Sequence, residues 1–174
     1  MAKLRKFCSY RRLKRPYTRR SKFRSKNYIK VGGSKKVISF VIGDPAQKFS
    51  HTLNLVSKEE LNLRENAIES ARQTANKPLE AKAGKGKYCL RILVYPHHVL
   101  RENPLAAGAG ADRMSTGMSA AFGKPIGFAA RVKKGQSVIS LNIDKANLEV
   151  GKNALKRASY KFPGGYFVDV AENK

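Results

Sequence analysis

The sequence is short of acid. Its 174 residues hold 12 Asp and Glu against 36 Lys and Arg, a net charge of +24. The first acidic side chain is Asp44. A compact chain with this balance repels itself unless a polyanion neutralises it, which narrows its large partners to nucleic acid or an anionic membrane. Long apolar runs are missing too. No stretch of about 18 apolar residues is present to span a bilayer, and neither end carries a lipidation motif. The basic N-terminus is not followed by an apolar h-region, so it does not read as a secretory signal. Its Arg-rich, acid-poor composition also fits a mitochondrial transit peptide. Membrane is the weaker of the two partners, and none is expected.

Cysteine is scarce. Cys8 and Cys89 make neither a disulfide framework nor a metal set. Both read as reduced thiols in a cytosolic protein, Cys89 packing in a strand as a small apolar residue. Large side chains are few in residues 101 to 123, RENPLAAGAGADRMSTGMSAAFG. Long irregular loops in compact domains tend to be functional or disordered. Glycine lets backbone approach a ligand closely, and uncrowded backbone N–H groups can meet phosphates.

What is present is a basic tail and one domain. Residues 1–36 hold fifteen Lys or Arg and no acid. This extension cannot fold alone in water. Phe7, Tyr10, Tyr17, Phe23 and Tyr28 are spaced through it. Cations for phosphates and rings for unpaired bases suit RNA. Residues 37–174, with 41% hydrophobic residues in the whole chain, suit a single compact domain.

The coarse pattern is mixed. KVISFVI at Lys36–Ile42 and YCLRILVY at Tyr88–Tyr95 read as strands, each stopped by a proline-containing turn. Ser57 to Glu60 has capping-box spacing. It predicts a helix through Leu61, Ile68 and Ala75 that ends before Pro78. Gly84-Lys85-Gly86 is a turn. Ile126–Val132 and Ser137–Ile143 read as a hairpin around Lys133-Lys134-Gly135-Gln136. Leu148, Gly151, Leu155 and Ala158 share a second helical face, and Tyr166–Val170 is a last strand. Without a regular βαβ repeat the class is α+β: a mixed or antiparallel sheet sandwich with two main helices, the basic extension and the central loop.

No catalytic or metal site emerges. His97 and His98 would face opposite sides of a strand, and no third ligand is spaced for a metal. Gly108-Ala109-Gly110 is half a dinucleotide fingerprint, and Gly123-Lys124-Pro125 has Pro where a P-loop needs Ser or Thr. Asp112, Arg113 and Ser115 show no base–orienter arrangement. No enzyme activity and no cofactor are expected. A free-standing polyanion binder and an RNA-modifying enzyme are the rival readings.

HHVLRENPLAAGAGADRMSTGMSAAFGKPIGFAARVKKGQ, His97 to Gln136, closely resembles the signature of a large-subunit ribosomal protein family. Its bacterial member is called L-sixteen and its archaeal and eukaryotic member L-ten-e. RPYTRR at Arg15–Arg20, the stretch around Ala67–Lys77 and ASYKFPGG at Ala158–Gly165 extend the resemblance. The short run after KFPGG resembles the archaeal form. The resemblance implies an α+β sandwich on large-subunit rRNA, in the cytoplasmic ribosome, with neighbouring large-subunit proteins as partners and no homo-oligomer. It implies a loop, here Arg101 to Met118, directed at the peptidyl transferase centre and at tRNA near the P and A sites. The residues expected to grip rRNA are Arg11, Arg12, Arg15, Arg19, Arg20, Lys22, Arg24, Lys124 and Arg131. The candidate loop contacts are Arg101, Asn103, Gly108, Gly110, Asp112 and Arg113. One departure is Pro104-Leu105, where archaeal relatives commonly have Lys then Met. It removes a cation and fixes one φ.

Overall fold

The protein's structure, a computed structural model, describes residues 4–13, 36–102 and 123–173. Two antiparallel sheets carry these residues. The larger has five strands: β1 (Val41–Ile42), β4 (Tyr88–Ile92), β7 (Ser137–Ile143), β2 (His51–Ser57) and β8 (Tyr166–Glu172), in the order β1-β4-β7-β2-β8. The smaller is β3 (Leu61–Arg64), β6 (Lys124–Val132) and β5 (His98–Glu102), in the order β3-β6-β5. Two helices, α1 (Glu65–Lys82) and α2 (Leu148–Ser159), complete an α+β fold.

The core follows from period. In α1 the buried residues Ile68, Ala71, Ala75 and Leu79 recur every three or four positions. In α2 they are Gly151, Ala154, Leu155 and Ala158. Small residues on both stripes let the helices lie close to each other and to the sheet. A side chain at Gly151 would meet Leu141, Ile143 and Leu53, three residues of the large sheet. Leu53, Leu55, Leu90, Ile139, Leu141 and Ile143 supply the sheet's side of the same cluster. Burying such side chains fully is worth about 1.5–3 kcal/mol each.

The expected hairpin is two strands of different sheets. β6 pairs with β3 and β5, whereas β7 pairs with β2 and β4. The physical reason is a shared bend. β2 runs into β3 through residues 58–60 just as β6 runs into β7 through 133–136, and β2 pairs β7 while β3 pairs β6. The two turns are tied together: Gly135 N–H donates to the Ser57 carbonyl at 2.8 Å, and Ser57 N–H donates to the Gln136 carbonyl at 3.0 Å. A register shift at Leu55/Val56 accompanies the bend, as bulges do. One long ribbon therefore crosses from sheet to sheet.

The helix predicted from Ser57 is corrected by the same feature. Ser57 ends β2, and its hydroxyl donates to the Glu59 carbonyl at 2.7 Å, so it caps no helix. α1 begins at Glu65 after β3. It also runs through Pro78 to Lys82. Proline removes one helical donor, but Leu79 and Ala83 are buried just beyond it and hold the last turn against the core. Of the strand expected at Lys36–Ile42, only Val41–Ile42 is laddered to β4, with Phe40 accepting from Ile92 N–H at 2.8 Å. The second strand stops at Ile92 instead of Tyr95. Cys89 is fully buried in β4, and Cys8 is exposed.

The incoming chain at residue 36 is held by acids of α1. Buried Glu65 accepts from Lys36 N–H at 3.2 Å, and Glu69 accepts from Ile38 N–H at 3.3 Å. Glu69 also receives two bonds from the Arg72 guanidinium, at 2.6 and 2.9 Å. Arg72 above all, with Gln73 and the Ile38 amide, holds the Glu69 carboxyl down to about 2, against the upward push of burial. A lowered folded-state value stabilises above the unfolded value near 4.5 and is lost as pH falls from there towards 2. Glu69→Gln should therefore cost about 1–2 kcal/mol at pH 7. In thermal melts, the gap to the wild type should close as pH falls from 4.5 towards 2; an unchanged gap contradicts the assignment.

Candidate nucleic-acid interface

The N-terminal residues 4–13 lie across the small sheet. Phe7–Ser9 is a single 3-10 turn. It presents Tyr10, 4% exposed, to a small cluster with Leu100 and Ala129, flanked by Leu4, Leu13 and Ile126. Aromatic burial anchors a segment that is otherwise charged.

Polar groups of the sheet then fix the segment's path. Asn62 of β3 makes three bonds to it. Its N–H donates to the Arg11 carbonyl at 2.9 Å, and its side-chain amide donates to the carbonyls of Tyr10 at 2.9 Å and Leu13 at 3.1 Å. Arg64 donates to the Arg5 carbonyl at 3.0 Å, and Arg5 N–H donates to the Tyr10 hydroxyl at 2.9 Å. Arg5 Nε meets Glu102 Oε1 at 2.6 Å, which ties the segment to the end of β5. That hydrogen bond raises the Arg5 guanidinium above its ordinary value.

Beside this segment is a cleft of about 870 Å³. Arg11 and Arg12 line one side, Arg131 lies in β6, and Lys58, Lys133 and Lys134 come from the two tied turns. Glu59 and Glu60 are the acids in its wall. Six cations against two acids leave a positive concavity. Low-dielectric walls focus such a field outward onto an approaching polyanion. The Arg11 guanidinium sits 5.7 Å from the Phe7 ring centroid, a cation–π arrangement that steadies it. Arginine's planar fork suits phosphate.

The predicted residues separate. Arg11, Arg12 and Arg131 come together in the cleft. Lys124 is exposed at the start of β6 and is paired in register with Glu102. Arg101 is buried in β5, 5% exposed, so residues 101 and 102 belong to the small sheet. Arg15, Arg19, Arg20, Lys22 and Arg24 lie outside the described residues, as do Asn103, Gly108, Gly110, Asp112 and Arg113. Sequence reasoning missed Lys58, Lys133, Lys134 and Asn62. Lys133 and Lys134 stood in a predicted turn, which was the available signal. Asn62 was hidden by the helix drawn through it.

His97, just before β5, is exposed, and His98, the first residue of β5, is buried. Among the described residues, no three His, Cys, Asp or Glu are placed to hold a metal. No helix among them is long and apolar enough to cross a membrane.

Asn62 is the polar hinge of the interface. Asn62→Ala should cost roughly 1–3 kcal/mol, because buried carbonyls lose their donor. Hydrogen exchange should accelerate at residues 4–13 before the large sheet loosens; unchanged protection there contradicts the role.

A family model described as ribosomal protein L16p/L10e matches residues 13–168. The large ribosomal subunit protein uL16 of Archaeoglobus fulgidus is 46% identical over 154 residues, covering 88% of this chain and 85% of that protein. The protein of the same name from Methanococcus maripaludis is 42% identical over 161 residues, 92% and 90% of the two chains. That of Thermofilum pendens is 45% identical over 148 residues, 85% and 84%. The match runs from the basic N-terminal segment through both sheets to β8, and on that span the chain belongs to the ribosomal protein L16p/L10e family.

Proposed function

We propose that this protein is a structural constituent of the large subunit of the cytoplasmic ribosome. It binds large-subunit rRNA through its basic N-terminal segment and the adjoining cleft. The observation that carries this reading is the family match over residues 13–168. The relatives' names place them in the large subunit. The cleft supports it independently, because Arg11, Arg12 and Arg131 meet there from positions far apart in sequence.

Its work is positional. Guanidinium and ammonium groups grip phosphates and set orientation without reading sequence. Arg15, Arg19, Arg20, Lys22 and Arg24 continue the same basic tract, and Lys124 adds an exposed cation at the start of β6. The domain at 37–174 serves as the platform, one copy per subunit beside other large-subunit proteins. Residues 103–118 reach toward tRNA near the peptidyl transferase region, with Asn103, Gly108, Gly110, Asp112 and Arg113 as contacts. Their small side chains suit a path between RNA surfaces. A structural constituent needs no catalytic group, and the family is one of ribosomal components, not enzymes.

Sucrose-gradient sedimentation in magnesium tests the assignment. The chain should travel with large subunits and translating ribosomes and survive a high-salt wash. A chain that stays at the top, or tracks with DNA, contradicts it. In purified form, Arg12→Glu and Arg131→Glu should each weaken rRNA binding several-fold. The log–log salt slope should fall by about one per lost phosphate contact. Zero-length crosslinks from residues 103–118 to tRNA in translating ribosomes check the reach of that stretch; their absence removes the tRNA contact.

A further inference from the structure

We propose that the exposed ring of His97 is a stacking platform for an unpaired nucleobase of large-subunit rRNA. The inference rests on the rRNA-binding reading above and names a second contact, apart from the basic cleft.

Three rings form a contiguous cluster at the β4 side of the large sheet. Phe40 and Tyr95 are stacked, with centroids 5.1 Å apart and planes 25° apart. Tyr95 and His97 follow at 4.5 Å. Tyr95 is 37% exposed and His97 is exposed. Exposed aromatic rings are what sequence-tolerant RNA binders offer to bases, since every base has a π-face.

The cluster is built rigidly. Pro96 is buried and has a fixed φ. Across it, His97 N–H donates to the Tyr95 carbonyl at 2.9 Å. The next residue, His98, is 1% exposed and pins the chain at the start of β5. On the other side, the Phe40 carbonyl accepts from Ile92 N–H at 2.8 Å. The backbone that carries the rings is thus placed before any ligand arrives, which lowers the ordering cost of binding. A ring needed only to seal the core would turn inward, as His98 does. His97 instead faces water.

The charge around the cluster selects the occupant. In sequence, no acid stands between Glu80 and Glu102 or before Asp44; the acids that approach the first segment from α1, Glu65 and Glu69, are engaged by the Lys36 and Ile38 N–H groups, and Glu69 also by Arg72. Lys87, Arg91 and Lys36 are cations of these segments. Exposed Leu93 and Ile38, at 50% and 80%, give the same edge an apolar surface. An aromatic and apolar surface in a cationic setting matches a nucleotide, which has a flat face and an anionic backbone.

The chain contains no tryptophan, so a His97→Trp variant carries a single emitter at the site. Full-length variants are titrated with large-subunit rRNA, bulk tRNA and duplex RNA. Emission should be quenched by the rRNA and not by the duplex. Quenching by tRNA in its place overturns rRNA as the source of the base, and equal quenching by duplex overturns the unpaired-base requirement. His97→Ala should bind rRNA about tenfold more weakly, with an unchanged salt slope because no phosphate contact is lost. His97→Phe should bind like the wild type. If His97→Ala binds normally and the emitter is unmoved while Arg131→Glu still weakens binding, the platform is wrong and the rRNA reading stands. If the wild type itself fails to bind rRNA, both fall.

Discussion

Mutual repulsion among 36 cations is the constraint on which this structure turns. Five of the described acids are used at joints. Glu65 and Glu69 receive the chain where it enters the domain at Lys36 and Ile38. Glu102 holds Arg5 at the end of β5. Asp144 accepts from Ser50 N–H, and Asp44 from Ala46 N–H, each fixing a turn. Glu59 and Glu60 in the wall of the cleft do not balance its six cations. The molecule is therefore folded in its core and uncompensated on its surface, a state completed by a polyanion.

The two sheets serve that arrangement. A single hairpin would have sent Lys133 and Lys134 to the tip of a free turn. Because the β2/β7 and β3/β6 pairs form one bent ribbon, the turn at 133–136 is bound to Ser57 and stands beside Lys58. The N-terminal segment then lies over the small sheet through Tyr10 and Asn62 and brings Arg11 and Arg12 to the same hollow. Ordering a charged segment costs conformational entropy. Burial of Tyr10 and the three bonds from Asn62 offset it locally.

Much of this was legible in the sequence, and the failures have physical causes. α2 was visible because its apolar stripe is regular, and β4, β6, β7 and β8 because they are β-branched or aromatic and bounded by turn residues. The start of α1 was misplaced because Ser57 and Glu60 have capping-box spacing, yet their local geometry answers to the ribbon's bend, a tertiary demand that short-range patterns do not carry. β3 was missed for the same reason, since the predicted helix was drawn through it. Pro78 was read as a stop, but Leu79 and Ala83 bury beyond it. The cleft was half visible. Arg11, Arg12 and Arg131 were chosen by type and family resemblance, and only the fold shows that Lys58, Lys133 and Lys134 stand with them.

The central claim is that this cleft faces rRNA in the assembled subunit. Lysine acetylation followed by mass spectrometry, on native large subunits and on the free protein, tests it directly. Lys58, Lys133 and Lys134 should be reactive in the free chain and strongly protected in the subunit. If all three react as readily in the subunit as in the free chain, the cleft is not the RNA-binding face and the account built on it fails.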